Sequence, residues 1–240
     1  YRKYAGKYNL YFYGTVNCES GTVTVATLEI NFAKEEAVTM KIATSEGGEK
    51  LYYGELQISE MSPNVFIVLN SDFGEQVSLT FYDEPMNCET FQCAVGAMLS
   101  ISAGDLKRAP VLNRFIITGY DVDEAHMKFI KAHLKLNTKY IDITPEMIST
   151  SVEGVFGKCE MADRITDRLK KAFYSKRYYA IEDSFIVNTL RKDENLSLRQ
   201  ADELIAELRN HSLSNINFKI NKSLDSTVYR CTNPKNISQE

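Results

Sequence analysis

Val23-Thr24-Val25-Ala26-Thr27-Leu28-Glu29-Ile30-Asn31-Phe32 is the stretch that decides the fold class. Leu28, Ile30 and Phe32 fall on one side of an extended chain and Thr27, Glu29 and Asn31 on the other, the period of two that marks a half-buried strand. Tyr8-Asn9-Leu10-Tyr11-Phe12-Tyr13, just upstream, has the same β-favouring composition. Working outward, the pattern predicts six more strands, at Val38–Ala43, Leu51–Ile58, Val65–Leu69, Val77–Tyr82, Cys93–Ile101 and Asn113–Thr118. Gly47-Gly48 and Asp72-Phe73-Gly74-Glu75 read as hairpin turns. Eight short strands at near-regular spacing point to an antiparallel barrel or sandwich, because closure or double layering hides the sheet edges. Gly6, Gly14 and Gly54, each beside aromatic residues, are either the bends of a small barrel or strand ends.

The period changes after Val122. Ala125, Phe129, Ala132 and Leu136 share a helical face, with Asp121 or Asp123 placed to cap it. Tyr140–Ile143 reads as extended, and Thr144-Pro145-Glu146 supplies the N-cap, first-position proline and first-turn acid of another helix. Ser149–Lys158, with Gly154 and Gly157, is the expected linker, which divides the chain into a β domain over 1–150 and a helical domain over 158–234. Within the second part, Met161, Ile165, Leu169 and Ala172-Phe173 form one apolar stripe, and Ile181, Phe185 and Leu190 a second. Ser197-Leu198-Arg199-Gln200 fits a capping box opening a third helix, with Leu198, Ala201, Leu204-Ile205 and Leu208 down one face. Ile216–Ile220 and Thr227–Cys231 then flank Asn221–Ser226 as a hairpin would. The expected fold class is α+β: an N-terminal antiparallel β-barrel or sandwich, then a helical segment with the element order of a winged helix.

Composition narrows the function classes. The 240 residues are 44% hydrophobic and 25% charged, an ordinary globular balance. No run of about 18 uncharged apolar residues is present, so no helical membrane span is expected. A chain that begins at Tyr1 instead of Met is expected to be a processed or truncated form. The five cysteines, Cys18, Cys88, Cys93, Cys159 and Cys231, are odd in number and contain no CxxC pair, which favours a reduced, cytoplasmic setting over a disulfide framework or a structural zinc site. Sequons at Asn195, Asn221 and Asn236 are short enough to arise by chance. Residues 1–120 hold nine Lys/Arg against fourteen Asp/Glu, about −5, and the remaining 19 against 18 give about +1, so neither half has the basic surplus of a nucleic-acid binder.

No nucleophile elbow, phosphate loop, dinucleotide fingerprint or HExxH motif occurs, and the expectation is a non-enzyme with no cofactor. His126 and His133, spaced i, i+7, project on one side of a predicted helix, where Asp123 would complete a minimal ligand set for a metal; an exposed helix face accounts for the same spacing. His211 ends the third helix, where a cation suits the dipole. The most unusual stretch is Ser100-Ile101-Ser102-Ala103-Gly104-Asp105-Leu106-Lys107-Arg108-Ala109-Pro110, leading to Arg114. Gly104 and Asp105 lie where a ligand would approach backbone amides, and Lys107, Arg108 and Arg114 are placed to meet phosphate oxygens. The alternative is a polar loop between buried strands, with Arg114 paired to a carboxylate such as Asp105 or Asp83. Tyr8, Tyr11, Tyr13, Tyr52 and Tyr53 are candidates either for stacking on a ligand ring, Tyr11 and Tyr53 above all, or for barrel core and rim. In the third helix Arg199 and Arg209 are offset by Asp202, Glu203 and Glu207, which argues against a DNA-reading role; the basic residues gather instead around the first helix, at Lys158, Arg164, Arg168, Lys170, Lys171, Lys176 and Arg177.

Tyr4-Ala5-Gly6-Lys7-Tyr8-Asn9-Leu10-Tyr11-Phe12-Tyr13, Tyr53-Gly54-Glu55-Leu56, and Ser102-Ala103-Gly104-Asp105 with Pro110 and Arg114 resemble the lipocalin-like β-barrel ligand-sensing domains of bacterial regulatory and anti-phage proteins. The resemblance covers residues 1 to about 145 and implies a small-molecule or nucleotide signal, with the response passed to an attached module. The leading expectation is therefore a sensor or regulator that binds a small, phosphorylated or nucleotide-like ligand and relays the outcome through protein contacts, a homo-oligomer or, less favoured, DNA. An interaction domain docking a partner on a strand edge or helical face is the alternative, and an enzyme whose polar residues converge only in three dimensions is the third.

Overall fold

The structure, a computed structural model, describes residues 2–14, 22–44, 47–62, 64–82, 91–102, 108–136, 140–173, 179–213 and, as backbone, 217–219. Eight strands pair antiparallel in chain order: β1 (Gly6–Tyr13), β2 (Val23–Ile30), β3 (Val38–Ala43), β4 (Glu49–Ile58), β5 (Asn64–Asn70), β6 (Gln76–Tyr82), β7 (Cys93–Ile101) and β8 (Pro110–Thr118). β8 returns to β1, with Asn9 opposite Thr118 and Phe12 opposite Phe115, and the sheet closes into a barrel. Closure satisfies the N–H and C=O groups that an open sheet would leave at its edges.

Alternate residues of every strand face inward. Leu10, Phe12, Leu28, Ile30, Met40, Ile67, Leu69, Leu79, Met98, Phe115 and Ile117 belong to one continuous buried cluster. Each such side chain contributes about 1.5–3 kcal/mol on burial, so this interior is the main source of barrel stability. Lys7, Lys41 and Glu55 lie on the outer face, exposed. On β1, β3 and β4 an apolar inner face is thus backed by charged positions outside. Among the described residues no helix is long and apolar enough to cross a membrane.

One end of the barrel is plugged. A 3₁₀ turn over Arg2–Tyr4 places Tyr4, fully buried, against Phe81 and Phe91, and the Tyr8 hydroxyl donates to the Tyr4 carbonyl at 2.9 Å. The other end, the mouth, is formed by hairpin connections that include the β5–β6 turn, where Gly74 takes a φ of +75° that L side chains rarely adopt.

Beyond the barrel follow α1 (Met127–Leu134), β9 (Tyr140–Ile143), α2 (Pro145–Phe156), α3 (Glu160–Ala172) and β10 (Tyr179–Glu182). Then α4 (Asp183–Phe185), a π-helical turn (Ile186–Leu190) and α5 (Arg191–Asp193) run on continuously, and α6 (Leu198–Asn210) comes last of the helices. A second core joins Ile141, Ile143, Ile148, Val152, Ile165, Leu169, Ile181, Ile186, Leu190, Leu204 and Leu208. A third, smaller cluster of Tyr11, Tyr13, Ile116, Ile130 and Leu134 fastens α1 to the outer wall of β1 and β8.

Several expectations change here. Ser149–Phe156 is helix, not linker: Val152 is buried in the second core, Gly154 faces open space on the helix surface, and Gly157, at φ +72°, ends α2 by donating its N–H to the Glu153 carbonyl at 2.8 Å. Ile181 lies in β10, paired with Ile141 of β9, so it does not continue the helical stripe of Phe185 and Leu190. The first arm of the expected hairpin, β11 (Asn217–Lys219), pairs with β8 over Val111–Asn113, adding a strand to the barrel sheet. Thr227–Cys231 lies outside the described residues. The capping box is present as expected: Ser197 Oγ accepts from the Gln200 N–H at 3.1 Å, and Gln200 Oε1 accepts from the Ser197 N–H at 2.9 Å.

Candidate functional site

Of the residues singled out in the sequence, those that the structure describes do not converge inside the barrel. Gly104, Asp105 and Lys107 lie outside the described residues. Tyr52 faces inward, which puts Tyr53 on the outer face of β4. Tyr11 is buried on the outer wall of β1 in the cluster that α1 covers. Arg114 also points outward, since its neighbours Asn113 and Phe115 point in.

Arg108 sits at the mouth. Three donors converge there on one carboxylate: the Tyr52 hydroxyl donates to Glu75 Oε2 at 2.7 Å, Lys50 Nζ lies 3.4 Å from the same oxygen, and Arg108 Nη1 donates to Oε1. Burial pushes the Glu75 carboxyl up, but the Tyr52 hydrogen bond together with Lys50 and Arg108 outweighs it and holds the group below its ordinary value. A phosphate would have to displace Glu75 to reach these cations. The cluster therefore works as a latch tying β4, the β5–β6 turn and the β7–β8 connection. Below the mouth, Asn113 faces the barrel interior, almost fully buried, and neither its Oδ1 nor its Nδ2 has a hydrogen-bond partner among the described residues.

The barrel wall and the helices meet at a junction rich in cations. Arg114 Nη1 donates to the His133 carbonyl at 3.2 Å, and the alternative carboxylate partners Asp83 and Asp105 lie outside the described residues. Burial, and then the charge of Arg209, make its guanidinium easier to deprotonate than usual. Arg209, in the last turn of α6, donates from Nη2 to Asp183 Oδ2. Lys135, just past α1, donates from Nζ to the carbonyls of Asn210 at 2.5 Å and Ser212 at 3.4 Å, where the end of α6 favours a cation.

Burial nonetheless pushes the Lys135 ammonium down to about 8. In that range the unfolded chain, with its lysine near the ordinary value of about 10.4, holds more protons than the folded one. Stability should therefore rise between pH 8 and pH 10, by at most about 1.4 kcal/mol per pH unit. Above that window Tyr13, pushed up to about 12 by burial, acts in the opposite sense, because the unfolded chain then ionises first. Urea unfolding at the two pH values checks this, and Lys135→Met should flatten the rise.

Beside this junction lies an open groove of about 830 Å³. His126, Phe129 and His133 of the α1 region form one wall, Leu198, Arg199, Asp202 and Ile205 of α6 the other, and Asp183 and Val187 the floor. The i, i+7 histidines thus do face one place. They are tied down there, His126 Nδ1 to Asp123 Oδ1 at 2.6 Å and His133 Nδ1 to the Phe129 carbonyl at 2.8 Å. No group of three His, Cys, Asp or Glu suited to a metal exists among the described residues. Arg199 is drawn to Glu203 at 3.3 Å, whereas Asp202 has no ion-pair partner among the described residues; Asp183 is paired with Arg209 through Oδ2, and its buried Oδ1 accepts no hydrogen bond among the described residues. The open charged acceptor of the groove is therefore the Asp202 carboxylate, beside the apolar side chains of Phe129, Val187, Leu198 and Ile205. Asp183, Val187, Leu198 and Asp202 come from elements remote in sequence from α1, and only the histidine spacing signalled any part of this site.

Of the basic residues around α3, Arg164 is held by Glu160 and Glu194, and Arg168 by Asp193 and Glu194. Lys158 lies 3.9 Å from Glu153, and Lys176 and Arg177 lie outside the described residues. The fold defines an eight-stranded antiparallel β-barrel protein with a C-terminal helical segment. Comparison with protein-family models, curated proteins and solved structures finds no match.

Proposed function

We propose that this chain is a non-enzymatic sensor or regulator whose ligand site is the groove between α1, the α4–π turn and α6. The observation that carries this reading is the groove itself. Its volume lies within the roughly 300–1,000 Å³ of small-molecule sites, while the side chains inside the barrel pack against one another. The Asp202 carboxylate, which has no ion-pair partner among the described residues, favours a ligand with an apolar body and an amine, amidine or amide donor, and disfavours the phosphorylated ligand expected from Lys107, Arg108 and Arg114. Phe129, Leu198 and Ile205 supply surface for the apolar body.

The same geometry supports a relay. α1 lines the groove with Phe129 and His133 and grips the barrel wall with Ile130 and Leu134, so a ligand that favours one setting of α1 shifts the population of barrel–helix arrangements. Thermal-shift screening of aromatic amines and amidines, with nucleotides as the opposing panel, tests the reading. A ligand at a hundred times its Kd should add about 2.7 kcal/mol of stability, and Asp202→Lys should abolish that gain. Stabilisation by nucleotides that is lost in Arg108→Ala and kept in Asp202→Lys would place the site at the mouth and overturn it.

A further inference from the structure

His126, Phe129 and His133 line one wall of the groove, spaced so that they share a face of α1 and the turn before it. Each histidine has its Nδ1 engaged locally. His126 Nδ1 lies 2.6 Å from Asp123 Oδ1, which also accepts the His126 main-chain N–H at 2.9 Å. His133 Nδ1 lies 2.8 Å from the Phe129 carbonyl oxygen. A carboxylate and a carbonyl can only accept, so in both rings Nδ1 carries the proton. The neutral ring then presents a lone pair at Nε2, on its opposite edge, and no donor. Both groove histidines are thereby set as acceptors.

Their spacing sets a length. Seven residues at a helical rise of 1.5 Å put the two rings about 10 Å apart along α1, too far for one small head group to reach both. Between them lies Phe129, its ring inclined only 26° to that of His126, and Val187, Leu198 and Ile205 supply further apolar lining. Asp202 on the facing wall adds a carboxylate with no ion-pair partner among the described residues. Arg199, the only Lys or Arg among the described lining residues, is held by Glu203 at 3.3 Å. The groove thus combines two separated acceptors, an apolar middle and one open negative charge.

We propose that the groove ligand is an unbranched dication of the diamine or bis-amidine class, with two N–H-bearing heads about 10 Å apart across an apolar spacer. Each head donates to the Nε2 of one histidine, and Asp202 offsets the charge. The inference rests on the groove being the ligand site. It adds that the ligand donates at both ends. A monoamine of the same length satisfies one histidine only, and a quaternary ammonium, equally charged but without N–H, satisfies neither.

Isothermal titration calorimetry at a pH of about 8, above the ordinary range of imidazole, tests this with four probes. These are the seven-carbon straight-chain diamine, whose extended span matches the histidine separation, the four-carbon diamine, heptylamine, and the fully methylated bis-quaternary form of the seven-carbon diamine. The seven-carbon diamine should bind about tenfold or more tightly than each of the other three, the difference that one hydrogen bond to a charged group makes. His133→Phe should bring it down to the level of heptylamine with an unchanged melting transition, and Asp202→Lys should weaken every amine. Binding that needs Asp202 but does not distinguish the seven-carbon diamine from the other probes, or a preference that survives both His126→Phe and His133→Phe, overturns the two-headed ligand and leaves the groove as the site. Absence of binding by any amine, or binding that Asp202→Lys leaves untouched, overturns the groove reading and the inference with it.

Discussion

Replacing Gly54 by alanine is expected to destabilise the barrel by at least about 3 kcal/mol. A Cβ at this position would stand 1.8 Å from the Val68 carbonyl oxygen and 3.0 Å from the Leu69 Cα, both main chain of the neighbouring strand. No rotamer change relieves a clash with backbone. Either β4 and β5 separate, breaking the pairing of Gly54 with Leu69, or the strand bends away and Tyr52 and Leu56 leave the interior with it. Gly96 is a second such point: its Cβ would lie 2.3 Å from the Thr80 carbonyl oxygen and 2.5 Å from the Phe115 ring. Urea unfolding of Gly54→Ala should show a lost or much lowered midpoint, while Gly154→Ala, on the open surface of α2, should hold or gain a few tenths of a kcal/mol because alanine is the better helix former. A Gly54→Ala protein as stable as wild type would mean that the two strands are not in this register.

Asn113→Leu is expected to stabilise the chain by about 1–3 kcal/mol, an unusual sign for a core substitution. Asparagine and leucine share a branched four-carbon-position skeleton, so the change trades two buried polar atoms without partners for two methyl groups in the same place. The buried amide has given up water and gained nothing in return. Equilibrium unfolding in urea measures the difference. A loss of more than about 1 kcal/mol would show instead that the amide is held by a hydrogen bond, for example to a trapped water. Ligand binding at the groove should not change in this variant, which separates the barrel interior from the proposed site.

The strands were legible because their signals are local. Val38–Ala43 and Cys93–Ile101 begin and end where composition and alternation place them, and Gly74 sits at the turn that requires it. What failed was the assignment of faces. In Tyr8-Asn9-Leu10-Tyr11-Phe12-Tyr13 nearly every position is apolar or aromatic, so a period of two cannot say which tyrosine points inward. Tyr8 does and Tyr11 does not, because α1 covers the outer wall and makes both faces of β1 buried. Gly154 and Gly157 so close together suggest a linker, although one lies on a helix surface and the other caps its end. Arg114 donates to the main-chain carbonyl of His133, and nothing in a side-chain pattern signals a main-chain acceptor. The groove was half legible. The spacing of His126 and His133 placed them on one face, but the opposing wall comes from α6, more than sixty residues later, and only packing brings the two together.

The claim that the groove, and neither the mouth nor the interior, is the ligand site is tested most directly by amide chemical-shift mapping with a bound aromatic amidine. The account predicts that the perturbed resonances cluster at Phe129, His133, Asp183, Val187, Leu198 and Asp202, with a weaker trail along α1. Perturbations centred on Lys50, Tyr52, Glu75 and Arg108, or on Asn113 inside the barrel, would contradict it.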